Sequence, residues 1–217
     1  MSSPPSLVLI GPAAAGKSTI GAKTAKILGL PFVDLDDVGP DYYAEVGWSI
    51  ERLVQRSRRV GRVAAEREWE SARAHAVRRA LDEHPGAVLA LGAGHTSYTD
   101  PGCFAVVHAA LQSVPKVVLL LPSYDREAAL VELRQRSLAS KGTEWISSGH
   151  DFLAEWLDDA GMRSLATETV ITVGSHPDET AAQVAAGCAP GARDSPRRPT
   201  GYSTGLPDGP EVQGFQQ

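Results

Sequence analysis

At 217 residues, with 42% hydrophobic and 22% charged side chains, the chain is long enough for one domain with a full core and has an ordinary globular composition. A net charge of −5 argues against a general grip on nucleic acid or on an anionic membrane, because both are held chiefly by lysine and arginine. Two cysteines without neighbours at metal-ligand spacing, and an N-terminus MSSPPS lacking a basic patch and apolar core, point to free thiols in a soluble cytoplasmic protein.

Residues 1–6 are expected to be disordered. The first apolar run, LVLI (7–10), predicts a buried strand, and GPAAAGKST follows it directly. That stretch is G-x-x-x-x-G-K-[ST] between a strand and a helix, which is the setting the phosphate-binding motif requires. Its glycines let backbone N–H groups converge on phosphate oxygens, and the helix beginning near Lys17 adds its positive end. Gly11, Pro12, Ala13, Ala14, Ala15, Gly16, Lys17, Ser18 and Thr19 are therefore expected to cradle ATP. Lys17 would reach the terminal phosphates, and the Ser18 hydroxyl would ligate Mg²⁺. A helix over 18–28 completes this unit.

The second strand, PFVDL (31–35), runs into a D-x-D at Asp34 and Asp36. Two residues apart on a strand, these carboxylates would share one face at the strand's carboxyl end, beside the cradle. Phosphoryl transfer needs one carboxylate for the metal and another to orient and deprotonate the attacking hydroxyl. Tyr42, Tyr43 and Trp48 lie in the next segment, where packing against the sheet is the favoured reading. A helix is expected over 67–81, a third strand at AVLAL (87–91), a fourth at KVVLLL (116–121), a helix over 125–136, a fifth strand at TVITV (169–173) and a helix over 178–186. Continuous apolar strands alternating with helices predict an α/β three-layer sandwich around a five-stranded parallel sheet. Residues 7–186 then form one domain, and the Gly/Pro-rich stretch 187–217 is expected to be a disordered tail.

GPAAAGKSTIGAKTAKILGLPFVDLD, GWSI (47–50) and AVLALGAGH (87–95) together resemble shikimate kinase, a small P-loop kinase of the nucleoside-monophosphate-kinase type, over roughly residues 7–186. The resemblance implies ATP and Mg²⁺ as cofactors and a small-molecule acceptor; a monomer is expected. It makes Asp34 the magnesium-side carboxylate and Asp36 the acceptor-side base. It also implies a glycine-rich acceptor loop at Gly92, Ala93 and Gly94, in which Ala93 departs from the family's glycine. His95 directly follows, either to hydrogen-bond the acceptor or as a loop residue without a role. Arg134 and Pro177 fall where the family holds adenine, and a lid is expected over about 134–159, with Arg136 and Lys141 as its candidate cations and Gly142 and Gly149 as hinges.

The departures bear on the acceptor. Shikimate kinases grip the substrate carboxylate with two arginines, one in F-R-x-x-E and one in R-x-x-L-Y. Here the first motif falls on WESAR (69–73), which puts Glu70 at the arginine position, and the second position falls near Asp158. Like charges about 4 Å apart repel by about 4 kcal/mol at an effective dielectric near 20, so both acids would disfavour a carboxylated acceptor. Arg67 and Arg73 flank Glu70 one turn away on either side, and a slipped register would restore a positive charge. The reading is an ATP-dependent kinase acting on a hydroxyl of a non-carboxylate, sugar-like or cyclitol-like metabolite. True shikimate kinase activity is the alternative within the class, and a nucleotide-dependent switch working through a partner is the alternative outside it.

Overall fold

A computed structural model describes residues 4–188; residues 1–3 and 189–217, which include nearly all of the expected tail, lie outside the described residues. The first strand, β1 (Leu7–Ile10), is buried along its whole length. It leads through the glycine-rich loop into α1 (Lys17–Leu28), which ends on left-handed Gly29. Then come β2 (Phe32–Asp34), α2 (Leu35–Glu45), α3 (Ile50–Val60), α4 (Arg62–Glu68), α5 (Glu70–Glu83) and β3 (Val88–Ala90). A 3-10 turn (Ala93–Thr96), α6 (Pro101–Leu111) and β4 (Val117–Leu121) precede the long α7 (Arg126–Lys141). The chain continues through β5 (Ile146–Ser147), β6 (His150–Asp151), α8 (Phe152–Asp158), α9 (Ala160–Ser164), β7 (Glu168–Ile171) and α10 (Pro177–Ala186).

Five strands form one parallel sheet in the order β2-β3-β1-β4-β7. Each arises from one of the five apolar runs: β1, β3 and β4, inside the sheet, bury every side chain, while the edge strands β2 and β7 stay partly exposed. Helix α1 packs on α10, and α5 packs on α2 and α6, which completes the helical layers around the sheet. Pro4 and Ser6, read from sequence as part of a disordered N-terminus, are instead tied down: Ser6 N–H donates to Ala87 O (2.9 Å) and Gly86 N–H to Pro4 O (3.0 Å).

Two elements differ from expectation. The helix expected over 67–81 is divided at Trp69, which closes α4 and opens α5. The second strand stops at Asp34, whose side chain accepts the Asp36 N–H (3.1 Å) and so caps α2. An N-cap carboxylate that satisfies an otherwise unpaired first-turn donor outweighs continued strand pairing at this point. Asp34 and Asp36 are therefore neighbours across a helix start and not across a strand. The carboxyl ends of β1, β2, β3 and β7 open on the same side of the sheet, where open α/β sheets hold their ligands.

Candidate active site

The loop after β1 is built for an anion. Gly11 has φ +141°, and a Cβ there would lie 2.5 Å from the Leu120 carbonyl oxygen, so only glycine fits. Ala14 and Gly16 are left-handed as well (φ 62° and 98°), an alternation that turns successive N–H groups inward as an anion-holding nest. The N-terminus of α1 has no side-chain cap, which leaves its first N–H groups and positive dipole end facing the same place. Lys17 Nζ donates to the carbonyls of Gly11 and Pro12, both at 2.8 Å. Burial lowers its ammonium to about 8, with Asp36 and Asp34 opposing that shift and Lys141 adding to it. Lys141 at the end of α7 lines the same cavity as Lys17. Uncapped donors, two lysines, a hydroxyl at Ser18 and a carboxylate at Asp34 suit a nucleotide phosphate with its magnesium ion.

A cavity of about 860 Å³ joins this loop to the ends of the other strands. Of the residues expected to form the site, it is lined by Ala13 to Thr19, Asp34, Asp36, Ala93, Gly94, His95 and Pro177. Gly92 lies behind this surface and shapes it. A Cβ there would lie 2.3 Å from Asp36 Oδ1 and 2.5 Å from His95 Nδ1, so both side chains crowd the one spot glycine leaves open. Tyr43 Oη lies 2.6 Å from His95 Nε2, while Tyr42 hydrogen-bonds Glu83 at 2.8 Å. Both tyrosines are buried, and neither lines the cavity. Burial pushes the His95 imidazole down to about 4, opposed by Asp36 and reinforced by Arg73, so it is neutral at pH 7.

The two acids expected at the arginine positions, Glu70 and Asp158, do not line the cavity. Glu70 is 1% exposed, and its carboxylate accepts Thr99 N–H (2.9 Å), Thr99 Oγ1–H (2.7 Å) and Asp100 N–H (2.8 Å). Burial pushes this carboxyl up, but those donors and Arg73 outweigh it and hold the group below the ordinary range. Asp158 is on the surface, paired with Arg126 at 2.7 Å. The charge facing the cavity one helical turn from Glu70 is Arg73, so W-E-x-x-R stands where the resemblance implies F-R-x-x-E, with the two charges exchanged. Arg73 Nη1 donates to Gly94 O (2.6 Å) and Nη2 to Glu66 O (3.3 Å), and the guanidinium lies 5.6 Å from the Trp69 ring.

Several cavity residues carry no motif and escape a sequence reading: Arg62, Glu66, Trp145 and Trp156. Arg62 Nε donates to Glu66 Oε1 (2.6 Å), four residues along α4, a spacing that signals a pair but not which way it faces. Trp145 holds φ 59°, a conformation that costs a bulky residue on the order of 1 kcal/mol or more. Its ring packs edge-on against Trp156 at 5.2 Å.

Where the resemblance implies the adenine site, Arg134 does not line the cavity and pairs with Asp151, whereas Arg136 lines it along with Thr172, Ser175 and Pro177. Two residues along a helix is a rotation of about 200°, which separates these arginines onto opposite faces. Arg136 Nη1 donates to Thr172 Oγ1 (3.0 Å). The expected lid is α7's last turns, an antiparallel β5–β6 hairpin and α8. Gly142 caps α7 in the left-handed region, and the hairpin turns through Ser148 and Gly149, both at positive φ as a two-residue type I′ turn demands.

The family model for shikimate kinase matches residues 13–148. The curated shikimate kinases of Mycobacterium avium (strain 104) and Mycolicibacterium paratuberculosis (strain ATCC BAA-968 / K-10) are each 40% identical over 99 residues, 45% of this chain. The match spans 48% of the length of each of those relatives. Among solved structures, shikimate kinase from Acinetobacter baumannii in complex with shikimate superposes with TM-score 0.57 at 22% identity, over 83% of this chain and 90% of that one. Shikimate kinase from Bacteroides thetaiotaomicron gives 0.55 at 16% identity, over 84% and 97%. At these identities the structures establish a common fold.

Proposed function

The chain belongs to the shikimate kinase family, and from that premise we propose that it transfers the terminal phosphoryl group of ATP to a hydroxyl of a small, neutral, ring-shaped metabolite. The observation that carries the reading is the shared cavity in which Lys17, Ser18 and Asp34 meet Asp36, Trp69, Arg73 and His95. Lys17 and the loop N–H groups would hold the phosphates, and Ser18 and Asp34 would hold Mg²⁺, which would neutralise phosphate charge. Asp36 takes the proton of the acceptor hydroxyl, whose oxygen bonds to the γ-phosphorus as the bond to the β–γ bridging oxygen breaks and ADP leaves. Pro177 and Arg136 flank the nucleotide base.

A neutral acceptor follows from how the cavity's cations are engaged. A carboxylate is best gripped by the planar fork of an arginine. Both terminal nitrogens of Arg73 already bond backbone carbonyls, and Arg62 is paired with Glu66. Three tryptophans offer flat faces instead. The indole N–H groups of Trp69 and Trp145 are buried without a partner among the described residues, as is Arg73 Nε. A hydroxylated ring that stacks through its C–H face on these indoles suits such a lining.

Incubating the protein with ATP, Mg²⁺ and a panel of sugars, cyclitols and shikimate, followed by mass spectrometry, tests both halves of the proposal. A neutral polyol heavier by one phosphate, with shikimate unchanged, is the expected result. Efficient phosphorylation of shikimate overturns the neutral acceptor. Release of free phosphate alone, with every compound tried, overturns group transfer.

A further inference from the structure

We propose that Tyr43 and His95 are a positioning pair for Asp36: Tyr43 fixes the His95 tautomer, and His95 presents Nδ1–H to the Asp36 carboxylate. The inference rests on reading Asp36 as the acceptor-side base, and assigns His95 to that base instead of to the acceptor itself.

Three observations lead there. First, His95 Nδ1 is buried with no hydrogen-bond partner among the described residues, so it is closed off from a ligand in the cavity even though the residue lines it. Second, the same nitrogen and Asp36 Oδ1 press on one point, the bare side of Gly92. Third, the other ring nitrogen is taken, with Tyr43 Oη 2.6 Å from Nε2.

The tautomer follows from where the protons can go. A neutral imidazole carries one N–H and one lone pair. Were the proton on Nε2, Tyr43 would accept it, and its own hydroxyl proton would need another acceptor; His95 is the only side-chain partner it has among the described residues. That arrangement would also set the Nδ1 lone pair against a carboxylate oxygen. With Tyr43 donating to Nε2, the proton sits on Nδ1 and turns repulsion into attraction. The groups facing the imidazole are Asp36, Arg73, the Gly92 backbone, Lys17 and Tyr43. Two of them are cations that oppose a further positive charge on the ring, which favours the neutral form as donor. The Nδ1–Asp36 hydrogen bond is not formed in this structure; such contacts commonly tighten only as the reacting groups assemble. One Asp36 oxygen would then be held by His95 while the other faces the acceptor hydroxyl, which is the tolerance that proton transfer needs. Tyr43 is itself fixed by an edge-on contact with Trp69 at 4.9 Å.

Two-bond ¹H–¹⁵N spectra of the ¹⁵N-histidine-labelled full chain at pH 7 test the pair without any acceptor. The His95 signals, identified by their loss in His95→Asn, should report Nδ1 protonated and Nε2 bare. Tyr43→Phe should mix the tautomers, and Asp36→Asn should move the Nδ1 resonance. A protonated Nε2 in the unsubstituted protein, or an Nδ1 signal indifferent to Asp36→Asn, overturns the proposal. Slow ATP hydrolysis, with water as acceptor, supplies the second arm. His95→Leu should lower it about tenfold or more, whereas His95→Asn, whose amide N–H stands near the Nδ1 position, should stay within about threefold, both with unchanged ATP affinity. Equal loss in the two variants overturns the positioning role. Because the spectra need no turnover, they report on the pair even where the acceptor screen yields no phosphorylated product, which keeps failure of the pair distinct from failure of the kinase reading.

Discussion

The ammonium of Lys17 is solvated by two carbonyl oxygens in place of water, and burial lowers its pKa to about 8. A bound polyphosphate adds negative charge beside it and raises that value again. Nucleotide binding should therefore be accompanied by proton uptake above about pH 8 and by almost none near pH 6.5. Affinity should fall by up to about tenfold per pH unit once Lys17 is neutral in the free protein. Calorimetric titration in buffers of different ionisation enthalpy measures the uptake, and Lys17→Met should abolish this pH dependence. Glu70 gives a contrasting expectation. Its carboxylate holds the Thr99–Asp100 turn that leads into α6, so Glu70→Ala leaves buried N–H groups unpaired at about 3 kcal/mol. Urea denaturation should show that loss, while the KM for the acceptor stays where it was. A raised KM with unchanged stability would mean that the acid does meet the acceptor.

At the scale of elements, the five strands and the cradle were legible because each rests on local chemistry. A continuous apolar run has one way to be buried, and G-x-x-x-x-G-K-S between a strand and a helix has one known use. What escaped was phase. The Asp34–Asp36 pair was readable as two carboxylates at one site, but alternation on a strand was the wrong geometry, since the chain turns helical at Asp34. Arg134 and Arg136, two residues apart on α7, face opposite ways, and nothing in their immediate sequence fixes which one meets the cavity. The exchange of Glu70 and Arg73 was visible as W-E-x-x-R, yet only tertiary contacts with Thr99 and Gly94 determine which of them turns inward. The cap suggests an experiment that separates structure from metal binding. Asp34→Asn retains an oxygen that can accept the Asp36 N–H but loses the charge, whereas Asp34→Ala loses both. Stability should fall by about 1 kcal/mol more in the alanine variant, and Mg²⁺-dependent nucleotide affinity should fall in both. An asparagine variant with undiminished Mg²⁺ dependence would remove Asp34 from the metal site.

For the whole molecule, the parallel order β2-β3-β1-β4-β7 brings loops distant in sequence to one edge, where the buried Lys17, Arg73 and His95 line one cavity. His95 and Lys17 are both depressed, to about 4 and about 8 from ordinary values of 6.5 and 10.5. In each case the unfolded chain binds the proton more readily than the folded one, so stability rises with pH through each window. For His95 the window runs from about 4 to 6.5: above it the neutral imidazole costs nothing, and below it the folded protein must protonate a buried ring or open. A shift of that size is worth up to about 3 kcal/mol. Carboxylates such as Glu70 add acid sensitivity of the same sign, so the slope alone does not identify His95. The difference between variants does. His95→Asn has no imidazole to protonate and should lose less thermal stability than the unsubstituted protein between pH 7 and pH 5, measured by differential scanning calorimetry at both values. Parallel losses in the two proteins would show that the imidazole is not held neutral by burial, and would remove the neutral donor that the Tyr43–His95 pair requires.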